Sequence, residues 1–490
     1  MTPDTMILMI LCLPLITAAV IFVLDAVPDL REGATLLGAA SLFGAVVLLV
    51  SNMQAGAQPE LVLGEAAPGL VFAFKLEPLG ALFALVASGL WILNSLYSIG
   101  YMRGNRERNQ TRFYICFAIA LFGAMGVALA GNLFTLFVFY EVLTLSTYPL
   151  VAHKGDANAQ RGARIYLMTL LGTSIGLFLV GVVWTSTLGG SLDFVPGGLL
   201  AGKISPTEAS LLLLLFAFGI GKAALMPFHF WLPNAMVAPT PVSALLHAVA
   251  VVKAGVFTIM KVAIYIFGAE LLQEAPATDW VLAIACITII VSSLVAMTKD
   301  NLKARLAYST IGQLAYVTAG AMLAVEAGFL GGSLQIAAHA MGKITLFMCA
   351  GAIYVATGLT DISDMRGLGK RMPWVFGAFF VASLSIIGIP PLAGSWPKFQ
   401  LFLGAVGAEQ GYVAWVLLIS SLLNIAYLLP IPILGLMPPK GLPEPAPYKR
   451  PEGAPRFVVI APVITAAGTL VLFFSMGAIA AFLAPAMGGA

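Results

Sequence analysis

The chain has 490 residues, of which 60% are hydrophobic and only 10% charged. Soluble domains carry about 25% charged residues, so this composition excludes a soluble fold and implies a polytopic membrane protein. The net charge of +3 is too small to point to nucleic acid.

The first residues, MTPDTM, lack a basic region, which predicts a retained first span rather than a cleaved signal. A span needs about 20 apolar residues. Fourteen are read on that measure: 6–25, 34–51, 78–101, 113–130, 132–151, 165–187, 209–227, 240–265, 278–297, 305–325, 333–357, 373–404, 412–437 and 457–484. The expected fold class is therefore an all-α polytopic membrane protein of about 14 transmembrane helices. Cys12, Cys116, Cys286 and Cys349 all lie in apolar segments without CxxC spacing. That argues against disulfides, a zinc site or iron–sulfur ligation.

Basic residues set the orientation. With both termini outside, the cytoplasmic loops hold 18 of the 25 Lys and Arg residues, Lys440, Lys449 and Arg450 among them. The opposite side holds only Lys75 and Lys203. This is a strong positive-inside pattern. It predicts a multi-pass protein of a bacterial cell (inner) membrane with both termini on the outer side.

Five lysines (222, 253, 261, 343 and 398) and one acid, Glu141, remain inside spans, with His247 and His339. His153 and His229 sit nearer the cytoplasmic ends. Charges in the bilayer core are expensive and usually mark ion paths. Glu141 lies near the middle of span 5. It either ties two helices together or modulates the proton affinity of a lysine.

Lys222 is expected deep in an apolar helix that Pro227 stops five residues later. Proline lacks an N–H and frees backbone dipoles near the charge. The segment FGIGKA fails as a phosphate loop, because residue 216 is Phe and Ala223 replaces the Ser/Thr that would bind magnesium. His247 and Lys253 are six residues apart on span 8, which puts them on different faces. Lys261 lies near the outer end of that span, where snorkelling to the interface is the expected role.

His339 and Lys343 are four apart and share a face. A metal site there would lack an acid or cysteine, and a proton relay fits better. Span 12 is too long for one straight crossing. Its run GIPPLAG, with Pro390 and Pro391, should break it beside Lys398. Two interrupted spans at matching positions point to inverted repeats. The expected organisation is helices 1–3 over 1–112, five-helix repeats over 113–265 and 278–437, and helix 14 over 457–484.

Several pieces together resemble one family: the Glu of FYEVL, the Lys of GIGKAALMPFHFWLPNAM, the run APTPVSALLHAVAVVKAG, the segment HAMGKITLF, and GIPPLAGSWPKF. The resemblance is to the antiporter-like proton-pumping subunits shared by Mrp-type multisubunit Na⁺/H⁺ antiporters and respiratory complex I. It covers about residues 75–430. It implies a Glu141–Lys222 pair, a line through His247, Lys253, His339 and Lys343, and a terminal station at Lys398. A lysine rather than a glutamate on span 12 makes the chain most similar to the D-type member of the Mrp antiporter. The implied partners are other membrane subunits, protons, Na⁺ or K⁺, and the lipid bilayer. No cofactor and no catalytic site of its own are implied.

Three rival readings stand beside antiport. One is the proton-pumping membrane subunit of a complex I-like NADH:quinone oxidoreductase or membrane hydrogenase. The others are a stand-alone solute transporter and a structural subunit whose charges only hold helices together.

Overall fold

A computed structural model describes residues 2–437 and 453–487. Lys440, Lys449 and Arg450 lie outside the described residues. The protein is helical throughout its membrane part. Its first helices are α1 (Pro3–Val23), α2 (Pro28–Gln54), α3 (Pro78–Gly104), α4 (Gln110–Leu129), α5 (Leu133–Val151) and α6 (Ala157–Gly189). Then come α7 (Pro206–Gly219), α8 (Val242–Phe267), α9 (Ala277–Thr298), α10 (Leu302–Met322) and α11 (Glu326–Thr357). The last are α12 (Pro373–Ile387), α13 (Ser395–Gly407), α14 (Gly411–Leu436) and α15 (Arg456–Ala486).

Local sequence explains where helices begin. Proline occupies the first turn of α1, α2 and α3, where its missing N–H costs nothing. The Asn132 and Asn301 side chains accept hydrogen bonds from the first turns of α5 and α10. Ser205 and Glu208 form a reciprocal capping box at α7.

Eleven helices among the described residues are long and apolar enough to cross a membrane. The other three of the expected fourteen segments are α10 and the two interrupted ones, α7 and α12–α13. One element is new relative to the sequence reading. Strands β1 (Glu60–Ala67) and β2 (Leu70–Lys75) pair antiparallel as a hairpin between α2 and α3. The hairpin docks on the turn before α5. Gly131 N–H donates to Ala73 O at 2.9 Å, and Asn132 Nδ2 to Val71 O at 2.8 Å.

The helices are arranged around α8. Every residue of its apolar stretch is buried, and α11 beside it is nearly as enclosed. The outer helices α1, α6 and α15 bury only about a third of theirs. Any polar side chain on α8 is therefore held in the interior. Both ends of α8 widen into π-helical turns, Val242–Ala250 and Val262–Phe267. Such turns often mark functional sites.

The first interruption differs from the sequence expectation. Helix α7 ends at Gly219, eight residues before Pro227, so Lys222 lies within the break and not inside a helix. The cause is packing. A Cβ on Gly219 would come 2.3 Å from Phe178 N, and Ala224 turns the chain left-handed at φ 54°. The chain then forms a single 3₁₀ turn, Gly221–Ala223. Pro227 falls in the irregular link beyond it. At the second interruption α12 ends at Ile387 and α13 begins at Ser395, so Pro390 and Pro391 lie between them. Gly388 ends α12 at φ 94°, a conformation that favours glycine.

An enclosed row of amines and imidazoles

The break after α7 positions Lys222 against α5. Its Nζ donates to Tyr140 O at 2.7 Å and to Thr144 Oγ1 at 2.6 Å, and lies 3.0 Å from the Tyr140 ring centre. Its backbone N–H donates to the Tyr140 hydroxyl at 3.1 Å. Glu141 sits between these two residues on the same helix. Neither of its carboxylate oxygens, both buried, has a hydrogen-bond partner. The structure therefore brings Glu141 and Lys222 onto neighbouring elements but not into an ion pair.

His247 lies in the first π-helical turn of α8, fully buried, with neither ring nitrogen hydrogen-bonded. The rings of Tyr166 and Trp231 flank it, each with its centre 6.2 Å away. Further along α8, Lys253 Nζ contacts His339 Nδ1 of α11. This contact joins the two most enclosed helices. His339 Nε2 has no partner, and Lys343, one turn on, donates to Leu306 O of α10 at 3.3 Å. Lys398 Nζ donates to Ile387 O at 2.7 Å, a carbonyl freed at the second break, and to Ser421 Oγ of α14 at 2.9 Å. It borders an apolar groove of about 700 Å³ lined by Trp396, Phe399 and Leu417.

The expectation for Lys261 is overturned. It does not reach the interface but is wholly buried, with Nζ 2.9 Å from Glu77 Oε2. Glu77 directly precedes Pro78, the first residue of α3, and in sequence looks like a polar residue at the membrane edge. The fold turns it inward, so Glu141 is not the only enclosed acid.

Three other contributors are missed by sequence reasoning. Tyr140 and Thr144 hold Lys222; their signal was proximity to Glu141, one residue before it and three after. Lys303 counts as a loop cation in sequence. Here its Nζ donates to Ala238 O at 2.6 Å, in a cavity of about 150 Å³ that Tyr101, Lys154 and Thr240 also line. His153, just past α5, is pushed down to about 4 by burial and by the Arg112 charge, so it is neutral at physiological pH. Among the described residues no three His, Cys, Asp or Glu side chains gather as a metal site.

The fold and these side chains define a class: a polytopic helical membrane protein with two interrupted helices and a row of enclosed amines and imidazoles. The transmembrane family described as NADH:quinone oxidoreductase/Mrp antiporter matches residues 130–424, and the N-terminus of chain 5 of complex I matches residues 68–114. The chain belongs to this family. It is 33% identical over 407 residues to NADH-quinone oxidoreductase subunit N of Desulforudis audaxviator, covering 81% of this chain and 79% of that protein. It is 32% identical over 324 residues to the D-type component of the Na(+)/H(+) antiporter of Alkalihalophilus pseudofirmus, covering 65% of this chain and 64% of that protein. The fold matches a chain in the structure of the Mrp complex from Dietzia at TM-score 0.84 and 22% identity, over 99% of this chain and 97% of that one.

Proposed function

We propose that this chain is the proton-translocating membrane subunit of a multisubunit cation/proton antiporter. Protons pass along Glu141, Lys222, His247, Lys253, His339, Lys343 and Lys398. The observation that carries the reading is the Lys253–His339 contact, which links two titratable bases across the most enclosed helices of the bundle. A buried ammonium gains support from a nearby carboxylate and loses it as the two separate, which drives its proton to the next base. Residues 113–265 and 278–437 act as two units, each with one interrupted helix. The second interruption leaves the Ile387 carbonyl free as an acceptor for Lys398. The uneven distribution of basic residues supports both termini lying on the outer side of a bacterial inner membrane.

Lys222→Ala and Glu141→Ala are expected to abolish cation-dependent ΔpH in vesicles while the complex still assembles. Retained transport in either variant would sink the assignment.

The similarity to NADH-quinone oxidoreductase subunit N favours a second reading, in which the same row serves a redox-driven complex. Purification from native membranes in mild detergent separates the two. Co-purifying flavin and iron–sulfur absorbance supports the redox complex. Small membrane subunits without them support the antiporter.

A further inference from the structure

Beyond the proposed row lies the buried pair on Lys261 and Glu77. Lys261 is on α8, two turns past Lys253, a rise of about 12 Å. Its ammonium is enclosed on every side. Nζ donates to Ala130 O at 2.8 Å, stands 2.9 Å from Glu77 Oε2, and lies 4.0 Å from the centre of the Phe194 ring. Lys75 and the Tyr265 hydroxyl are the other titratable groups that act on the pair.

Glu77 occupies the cap position of α3 but makes no capping hydrogen bond. Its carboxylate faces Lys261 instead. Glu77 retains 7% exposure while Lys261 has none. The acid is thus the outer member of the pair and the amine the inner one. Strand β2 and the 192–200 segment close over this end of the bundle, through Ala73 O to Gly131 N–H and Tyr265 O to Leu199 N–H, each at 2.9 Å. A buried ion pair is weak evidence for stability, because desolvation can exceed the Coulomb gain. Its place on the helix that carries His247 and Lys253 calls for another account.

We propose that Lys261 and Glu77 form a proton-transfer station at the hairpin end of α8, connecting the enclosed row to solvent. The Lys261 ammonium gives a proton to the Glu77 carboxylate: one N–H bond breaks and one O–H bond forms, leaving a neutral amine and a neutral acid. Glu77 then releases the proton to water under the hairpin. The amine is recharged from Lys253 through water, and the sequence runs equally in reverse. This inference rests on the proton-translocating reading above.

Lys261→Arg tests it. Arginine keeps the ion pair but does not lose its proton in proteins, so a purely structural tie survives the change and a transfer station does not. Glu77→Gln, which removes the acceptor, is the companion. Each variant is measured in the whole complex, as cation-dependent ΔpH in proteoliposomes per assembled complex, with Lys253→Ala beside it. The expected result is normal assembly with at least a tenfold loss of rate in both pair variants, and rescue in Glu77→Asp. Parental rates in Lys261→Arg or Glu77→Gln overturn the station. If one of the two fails to assemble, the other decides. Should Lys253→Ala lose transport while the pair variants keep it, only this inference falls; should all three transport normally, the function reading falls with it.

Discussion

At the scale of single residues, the details around Lys222 matter more than its presence. Its ammonium rests on two acceptors of α5, the Tyr140 carbonyl and the Thr144 hydroxyl. Thr144→Val keeps the shape and removes one acceptor. A buried donor left unmet costs about 1–3 kcal/mol, and more when it is charged. A tenfold or greater fall in transport is expected with unchanged assembly, read as ΔpH formation per complex; an unaltered rate would show that Thr144 does not hold the ammonium. The lysines and histidines were legible in sequence, because a charge in an apolar run is conspicuous. Their partners were not. Thr144 is unremarkable in a helix, and Glu77 became interior only because the cap position of α3 is turned toward α8.

At the scale of elements, glycine contacts set the geometry of both breaks. A Cβ on Gly255 of α8 would lie 2.3 Å from Ala223 N and 2.8 Å from Lys222 Cβ. The 3₁₀ turn that carries Lys222 is therefore pressed onto α8 through a residue without a side chain. Gly394 plays the same part at the second break, where a Cβ would sit 1.9 Å from Ser385 O. Gly255→Ala must push the Lys222 turn away from α8. It is expected to abolish transport even where the complex assembles, measured by the same vesicle assay; normal rates would show that the turn has slack. Helix existence was readable from runs of apolar residues, and the second break from its paired prolines. The end of α7 was not, because the feature that terminates it is the close approach of Gly219 to α6, a contact between distant parts of the chain. The hairpin was equally hidden, since its strands are short and lie between two long apolar runs.

At the scale of the whole molecule, enclosing Lys253, His339 and Lys343 among apolar helices works against stability. Replacing even paired buried charges with apolar residues of similar size is often neutral or stabilising by about 1–4 kcal/mol, and among the described residues these amines have no acid partner. The double variant Lys253→Met with Lys343→Met is expected to melt at a higher temperature in detergent while transport is lost. A lower melting temperature would mean that these amines hold the bundle together. The central position of α8 was not readable from hydropathy, since most spans are equally apolar; only packing shows which one is surrounded. The Lys253–His339 contact also limits how much charge the interior tolerates at once. Two unit charges about 4 Å apart repel by about 4 kcal/mol at an effective dielectric constant near 20. Carrying one charge across a membrane releases about 2.3 kcal/mol per 100 mV, so that repulsion matches roughly 170 mV. If the proposed row carries protons, the cluster is a turnstile with a single place, and a second proton enters it only under a push of about that size.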